Sequence, residues 1–316
     1  MGWRLAGAGL ALLVLAACDR QQLGQQGDPL AQARQACADE GAEAEARMEA
    51  CSTLIESGEL SSADRAAALS NRGAATYEAG DVTGALRDFR AALDADENAM
   101  LAVKGRATIL VESGQLDAAE PLVRRLVESG EYEAEAHYLT GVIAQQRGDI
   151  EGAMQAFDAS IAADRRFAPA YAQRAAIKQK RENYAGAMAD YYEAIEINPQ
   201  LAPARAGRCW TSVLMEDSNM RRAREDADAA VEADPRHIQG QLCRGLLQLR
   251  AGEWADARTS YEAALEVEPG NPNALFGRGV ARRRGGDNDG TEDMNRARDF
   301  DEHVTGRFEE QGVRTY

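Results

Sequence analysis

The sequence predicts an all-α fold, a solenoid of about seven stacked helical hairpins, on the strength of three observations. The composition is 45% hydrophobic but only 6% aromatic, which is typical of helical arrays rich in Ala, Glu and Arg. Small residues recur with a period of 34 residues, the sign of a helical repeat. Gly and Pro fall where the helices of such a repeat would end.

The chain opens with an apolar leader. Residues 5–15 form an apolar run behind Arg4 that is too short to span a bilayer as a finished helix. The run ends in Leu-Ala-Ala-Cys at positions 15–18, which resembles the lipobox of bacterial lipoproteins. The resemblance implies that residues 1–17 are removed as a signal peptide and that Cys18 is lipidated. An ordinary secretory cleavage and an uncleaved anchor are the alternatives.

Lipidation would hold the protein on a bacterial cell membrane, facing the periplasm, because acyl chains contribute about 0.8 kcal/mol per buried methylene. Asp19 resembles the inner-membrane retention signal of enteric lipoproteins, a rule that does not hold in all bacteria, so inner and outer membrane both stay open. Residues 18–32 are rich in Gln, Gly and Asp and are predicted to form a flexible tether.

Residues 33–65 do not follow the repeat period but contain two helical patterns, which predict an N-terminal helical cap. Cys37 and Cys51 lie in this segment. In an oxidising periplasm we expect a disulfide to clamp the hairpin. Two buried thiols are the alternative.

Residues 66–304 follow the 34-residue period, with two extra residues in the fifth repeat within positions 216–220. The repeats are predicted at 66–99, 100–133, 134–167, 168–201, 202–237, 238–271 and 272–304. Their eighth position is always small, which lets two antiparallel helices approach closely: Gly73, Ala107, Gly141, Ala175, Cys209, Gly245 and Gly279.

Large side chains recur at position 24 of most repeats, at Phe89, Val123, Phe157, Tyr191 and Tyr261. Together with the small columns they make the chain resemble the tetratricopeptide-repeat (TPR) family over about three quarters of its length. The resemblance implies a right-handed solenoid that binds other proteins on the concave face of its first helices. The seventh repeat is degenerate, as expected of a polar terminal cap, and residues 305–316 are predicted to be a C-terminal tail.

Arginine occupies position seven in six repeats, namely Arg72, Arg106, Arg174, Arg208, Arg244 and Arg278. Asp88, Asp190 and Asp226 stand at position 23 of three of the same repeats. We expect bidentate pairs across each hairpin, because a buried charge is normally partnered. Anion binding by the arginines is the alternative.

The sequence offers little for catalysis or metal binding. The three histidines fall at unrelated repeat positions, and no nucleophile, Walker or dinucleotide motif is present. Cys209 and Cys243 could bridge successive repeats, although a small packing residue is the more ordinary use. No cysteine pair has zinc-site spacing. The run at residues 287–290, Asp-Asn-Asp-Gly, weakly resembles a calcium-binding loop but coincides with an inter-helix turn. We therefore expect no enzyme activity, cofactor, metal or small-molecule substrate, and the net charge of −16 argues against nucleic acid.

The TPR resemblance places the partner site on positions 2, 5, 9, 12 and 13 of the first helices. These positions become apolar in repeats five and six, with an aromatic residue downstream and arginines at the edge. We expect a partner segment carrying aliphatic anchors and acidic residues to bind there. The predicted groove comprises Trp210, Val213, Leu214, Leu242, Leu246, Leu249, Arg250, Phe276, Arg283 and Arg284.

The sequence thus predicts a membrane-anchored, periplasm-facing adaptor or scaffold that binds envelope proteins or peptide segments, with a role in envelope or cell-wall assembly. One alternative is a structural homo-oligomer in which a second copy of the chain fills the groove. The other is an enzyme with its active site in the N-terminal segment.

Overall fold

A computed structural model describes residues 28–215 and 220–314. The leader, Cys18 and Asp19 lie outside these residues, as does most of the predicted insertion at 216–220. The described residues form seventeen helices and no strand, so the all-α prediction is confirmed. The chain divides after Tyr132 into two compact units.

The first unit holds six helices. A two-helix cap precedes two helical hairpins, in the order α1 Pro29–Ala38, α2 Ala44–Ser57, α3 Ser62–Glu78, α4 Val82–Ala95, α5 Met100–Glu112 and α6 Leu116–Ser129.

The second unit holds five hairpins and a short last helix. Its helices are α7 Glu133–Gln146, α8 Ile150–Ala163, α9 Ala168–Lys180, α10 Tyr184–Ile197, α11 Ala202–Leu214, α12 Met220–Ala233, α13 Ile238–Ala251, α14 Trp254–Val267, α15 Pro272–Arg284, α16 Gly290–Phe300 and α17 Val304–Glu310. Helices α3 to α6 form two hairpins in the first unit, and α7 to α16 form five in the second, which confirms the seven helical hairpins.

A Gly-Asp pair turns the chain within a hairpin. Gly80 and Gly148 follow the first helix with φ of 88° and 84°, a left-handed conformation that glycine adopts without strain. The next residue then caps the second helix: Asp81 accepts from the N–H of Gly84, and Asp149 accepts from the N–H of Gly152. The turn chemistry therefore fixes where these two second helices begin.

The ring at position 24 fills a space that exists because the neighbouring first helices carry glycine. The Phe89 ring lies against Gly73 of its own repeat and against Gly105 of the next. A Cβ built on Gly105 would lie 2.3 Å from the ring, which no real contact allows. Tyr191 and Gly207 are related in the same way, as are Tyr261 and Gly277. The predicted role of this column, filling the space between repeats, is confirmed.

Three predicted boundaries differ from the structure. The first helix begins at Pro29, inside the predicted tether, because Asp28 caps it by accepting from the N–H of Leu30. The first repeat begins at Ser62, four residues early, under a similar cap from Ser61. The predicted tail at 305–316 contains most of α17, whose Phe308 is buried. Between Asp28 and Arg314, leaving out 216–219, no helix is both long and apolar enough to cross a membrane.

Candidate functional site

Three of the six arginines at position seven bind the aspartate at position 23 of the same hairpin. Arg208 donates from Nε and Nη2 to the two carboxylate oxygens of Asp226, each at 2.7 Å. Arg72 pairs with Asp88 in the same bidentate geometry, and Arg174 pairs with Asp190. The predicted structural pairing is therefore confirmed for all three pairs.

Two more arginines of this column have partners that the sequence pattern did not name. Arg278 forms a bidentate pair with Asp293, which stands one position earlier in its repeat than the other aspartates do. Arg244 has no aspartate at position 23 and donates instead to Ser260 Oγ and Gln241 Oε1. Burial lowers the pKa of the Arg244 guanidinium, since a neutral hydroxyl and amide compensate the charge less than a carboxylate does.

Two disulfides fix the packing of neighbouring helices. Cys37 and Cys51 join α1 to α2, the two helices of the cap. Cys209 and Cys243 join α11 to α13, the first helices of repeats five and six, with Cα atoms 6.5 Å apart. The prediction that Cys209 and Cys243 serve as small packing residues is wrong. Consecutive first helices bring position eight of one repeat beside position six of the next.

The predicted groove residues meet on the first helices α11, α13 and α15. Their apolar side chains join the hydrophobic cluster of the second unit, but most are buried, for example Leu246 at 1% exposure and Phe276 at 0%. Trp210 is partly exposed, Leu214 is 41% exposed, and the three arginines are exposed. The groove is therefore not open along its predicted length, and the buried members are Val213, Leu242, Leu246, Leu249 and Phe276.

The chain's own C-terminal segment, residues 304–314, covers the far end of the groove. The Phe308 ring packs with its centroid 4.9 Å from that of Phe276 and 6.4 Å from that of Tyr261. Val304 and Val313 are buried in the same cluster. Phe276 therefore contacts the chain's own C-terminal segment, and its role as a partner contact stays a prediction.

Two of the edge arginines also lie against this C-terminal segment. Arg284 donates to the backbone carbonyl of Arg314 at 3.2 Å. A Cβ built on Gly312 would lie 3.7 Å from Nε of Arg250. Arg307, within the segment, donates to Asn273 Oδ1 on α15 at 3.0 Å. The prediction that the edge arginines await an acidic partner is therefore weakened for Arg250 and Arg284. Arg283 is exposed.

A pocket of about 220 Å³ remains between Trp210 and the C-terminal segment. Its apolar side is formed by Trp210, Leu242 and Leu246, and the indole N–H donates to the carbonyl of Gln239 at 3.0 Å. The polar side carries amide groups, which can both donate and accept hydrogen bonds, from Gln179, Gln239, Asn273 and Gln311.

The hydroxyl of Tyr261, which lines this pocket, is buried without a hydrogen-bond partner. Burial raises the pKa of this phenol. The equivalent hydroxyl in repeat four, that of Tyr191, donates to Gln179 Oε1 at 3.1 Å. Repeat six has Leu249 where repeat four has Gln179, and the sequence could have shown this mismatch. The orphan hydroxyl marks an unsatisfied point in the wall of the pocket.

The acidic run of the last repeat forms a turn in the structure. Asp287 accepts from Arg282 Nε at 2.7 Å and from the backbone N–H of Asp289 at 2.9 Å. These bonds lower the pKa of the Asp287 carboxyl, the arginine contributing most. Within the described residues no cluster of His, Cys, Asp or Glu is arranged to hold a metal ion.

Comparison with known proteins gives matches to repeat families and to repeat structures. Two family models described as tetratricopeptide repeat match the chain, one over residues 104–172 and 242–291 and the other over residues 168–201. No curated protein matches it in sequence.

Solved structures share the fold at low sequence identity. PilF of Pseudomonas aeruginosa is similar at 17% identity and a TM-score of 0.56, covering 68% of this chain and 98% of its own. The Cut9–Hcn1 hetero-tetramer of the APC/C gives 15% identity and a TM-score of 0.61, covering 83% of this chain and 51% of the matched chain. At these identities the similarity shows the fold alone.

Proposed function

Since this chain is built of tetratricopeptide repeats, we propose that it is an adaptor that binds a segment of a partner protein in the pocket beside Trp210. The observation that carries the proposal is the composition of that pocket, with an indole and two leucines on one side and four amides on the other. It lies on the first helices of the repeats. It therefore gives the adaptor one defined place for a partner.

The chemistry of the pocket favours a peptide with one apolar side chain. A volume of about 220 Å³ is small for a drug-sized ligand, whose pockets span roughly 300–1,000 Å³. Amide side chains can bond to both the N–H and the C=O groups of a peptide backbone. Trp210 supplies the large, partly exposed aromatic surface that is typical of binding hot spots.

The proposed adaptor is anchored to a bacterial membrane and faces the periplasm. The leader and Cys18 of the sequence support this part of the proposal. The cysteines give it independent support, since the chain has five and four of them form two disulfides. Stable disulfides belong to oxidising compartments such as the periplasm, and the remaining cysteine is the one at the lipobox-like motif.

The binding proposal is tested by cross-linking in native membranes followed by affinity capture and mass spectrometry. We expect Trp210→Ala to remove one or a few envelope proteins from the captured set. The matched control is Trp254→Ala, which removes an indole of similar partial exposure from the second helix α14 and should leave capture unchanged.

An unchanged set of captured proteins with Trp210→Ala would refute the pocket as the binding site. Capture of this chain alone would instead favour the homo-oligomer, in which a second copy fills the site, and light scattering would then give the number of copies.

The anchoring proposal has a separate test, incorporation of a labelled fatty acid in bacterial cells. We expect the wild-type chain to be labelled and Cys18→Ser to be unlabelled and released from membranes. Equal membrane retention of the two would contradict lipid anchoring. Cys37→Ala serves as the control, because its thiol is expected to be bridged and not acylated.

A further inference from the structure

The C-terminal segment, residues 304–314, packs against the binding site much as a bound peptide would. Its helix α17 has seven residues, too few to be stable without packing. Its side chains Val304, Phe308 and Val313 reach the core at spacings of four and five residues. The spacing of four between Val304 and Phe308 is one that groove-binding helices use, and Val313 follows beyond the end of α17. The segment therefore packs as a helical ligand would.

Side-chain hydrogen bonds join the segment to the repeats. Arg307 donates to Asn273, Arg284 donates to the carbonyl of Arg314, and Thr305 accepts from Arg298 Nε at 3.1 Å. Gly306 lies inside α17, where an added Cβ would meet nothing within 4 Å. Glycine in a helix interior costs stability relative to alanine, so the sequence keeps this helix weak although alanine would fit.

The fit between segment and groove is also incomplete. Phe308 covers Tyr261, yet the Tyr261 hydroxyl has no hydrogen-bond partner. The pocket of about 220 Å³ stays open between Phe308 and Trp210. A different occupant that offers an acceptor to this hydroxyl and a side chain to the pocket would make contacts that residues 304–314 do not make.

We infer that residues 304–314 are an internal ligand of the groove, and that the partner of the proposed adaptor carries a short helix with an aromatic anchor that displaces them. This inference rests on the proposed function, and it names the partner's chemistry: an aromatic residue with aliphatic residues four before and five after it, as in the chain's own segment. Release of the segment then exposes Phe276 and Tyr261 to the incoming helix. Binding in this way is limited by how often the segment leaves the groove.

The test uses the full chain and one defined probe, a fluorescent peptide of residues 301–314. Fluorescence anisotropy measures its binding to the wild-type chain and to Phe308→Ala. We expect the variant to bind the peptide at least tenfold more tightly than the wild type, because its own segment competes less well. A peptide carrying Phe308→Ala should bind neither chain. Equal, weak binding of the intact peptide to a folded variant would overturn the inference.

A second arrangement avoids any loss of core packing. A protease site inserted in the turn at residues 301–303 allows the segment to be cut from the repeats while every side chain stays in place. The labelled peptide should then exchange into the groove of the cut wild-type chain. Gly306→Ala in the same chain should slow that exchange. No exchange over hours would show that the segment is a permanent part of the core.

The two proposals fail in different experiments. The peptide assay contains only this chain, so its failure with partner capture intact refutes the internal ligand alone. Peptide exchange with no capture of any partner refutes the adaptor and leaves a self-binding segment.

Discussion

Arg208 and Asp226 face each other across the hairpin of α11 and α12, and the surrounding helices hide both from solvent. Both carboxylate oxygens accept from the Arg208 guanidinium at 2.7 Å, and Arg205 adds a further bond at 3.0 Å. Asp226 is 1% exposed. Two cations therefore depend on one buried carboxylate.

Removing that carboxylate should be strongly destabilising. Asp226→Ala leaves two guanidinium groups without their anion, so we expect a loss of about 3–5 kcal/mol in the free energy of unfolding. Glu262→Ala is the control, because its pair with Arg258 is largely solvent-exposed and such pairs contribute about 0.2–1 kcal/mol. Urea denaturation measures both. Similar midpoint shifts for the two variants would contradict the assigned roles.

The two disulfides should stabilise the chain unequally. They close loops with separations of 14 and 34 residues. The chain-entropy relation then gives about 3 kcal/mol for Cys37–Cys51 and about 4 kcal/mol for Cys209–Cys243. Replacing each pair by alanine and measuring the denaturation midpoint tests this order. A peptide map of the unreduced protein that shows free Cys209 would refute the second bridge.

Two glycine substitutions should act in opposite directions. Gly277→Ala places a Cβ 2.2 Å from the Tyr261 ring, and such overpacking costs about 1–3 kcal/mol. Gly306→Ala adds a Cβ in open space within a helix and should gain about 0.5–1 kcal/mol. Thermal unfolding of the two variants reports the sign of each change in stability. A gain for Gly277→Ala would mean that ring and helix are less closely packed than described.

The orphan hydroxyl predicts a stabilising mutation. Tyr261→Phe removes a buried group that has no partner, so the free energy of unfolding should rise by about 1 kcal/mol. Tyr191→Phe, at the same position of repeat four, loses the hydrogen bond to Gln179. Its free energy of unfolding should fall by a similar amount. If Tyr261→Phe proved destabilising, the hydroxyl would have a partner, such as a bound water, in solution.

His237 should make stability depend on pH. Its Nδ1 caps helix α13 by accepting from the N–H of Gly240 at 3.1 Å, and burial lowers its pKa below the ordinary 6.5. Well above pH 6.5 the ring is neutral in both states and its contribution is complete. As the pH falls below 6.5 the unfolded chain binds the proton first, so stability is lost until the folded-state pKa is passed.

The pH prediction is checked with His237→Asn, which keeps a capping acceptor that does not titrate. Urea midpoints between pH 7.5 and 5 should fall more for the wild type than for the variant. The same slope in both would show that His237 does not carry the effect.

The repeats were predictable because their signals are local and periodic. Helix α9 begins at Ala168, where the fourth predicted repeat begins, and Arg208 meets Asp226 because position seven faces position 23 in a helical hairpin. The place of Phe308 was not predictable in this way. A seven-residue helix containing Gly306 has no period, and its burial depends on contacts with Phe276 and Tyr261, far back in the chain.

That much of the predicted groove is covered could not be read from the sequence, for a related physical reason. An apolar face such as that of Leu242 and Leu246 is the same in sequence whether a partner or the chain itself covers it. The pairing of Arg278 with Asp293 was missed because Asp293 stands at position 22 of its repeat, one position before the column of aspartates that the period picks out.

The rings that insert against glycine also have a consequence for the ancestry and engineering of the array. Tyr191 needs the bare backbone of Gly207 in the repeat that follows, whereas the sixth repeat presents Cys243 at the corresponding place. Moving the sixth repeat directly behind the fourth would drive a side chain into the tyrosine ring. The repeats look alike, but they are not interchangeable. Duplication or shuffling of a repeat would have to change the residues on both sides of the contact between adjacent repeats. A designer who lengthens the array must therefore copy adjacent repeats together with the contact between them.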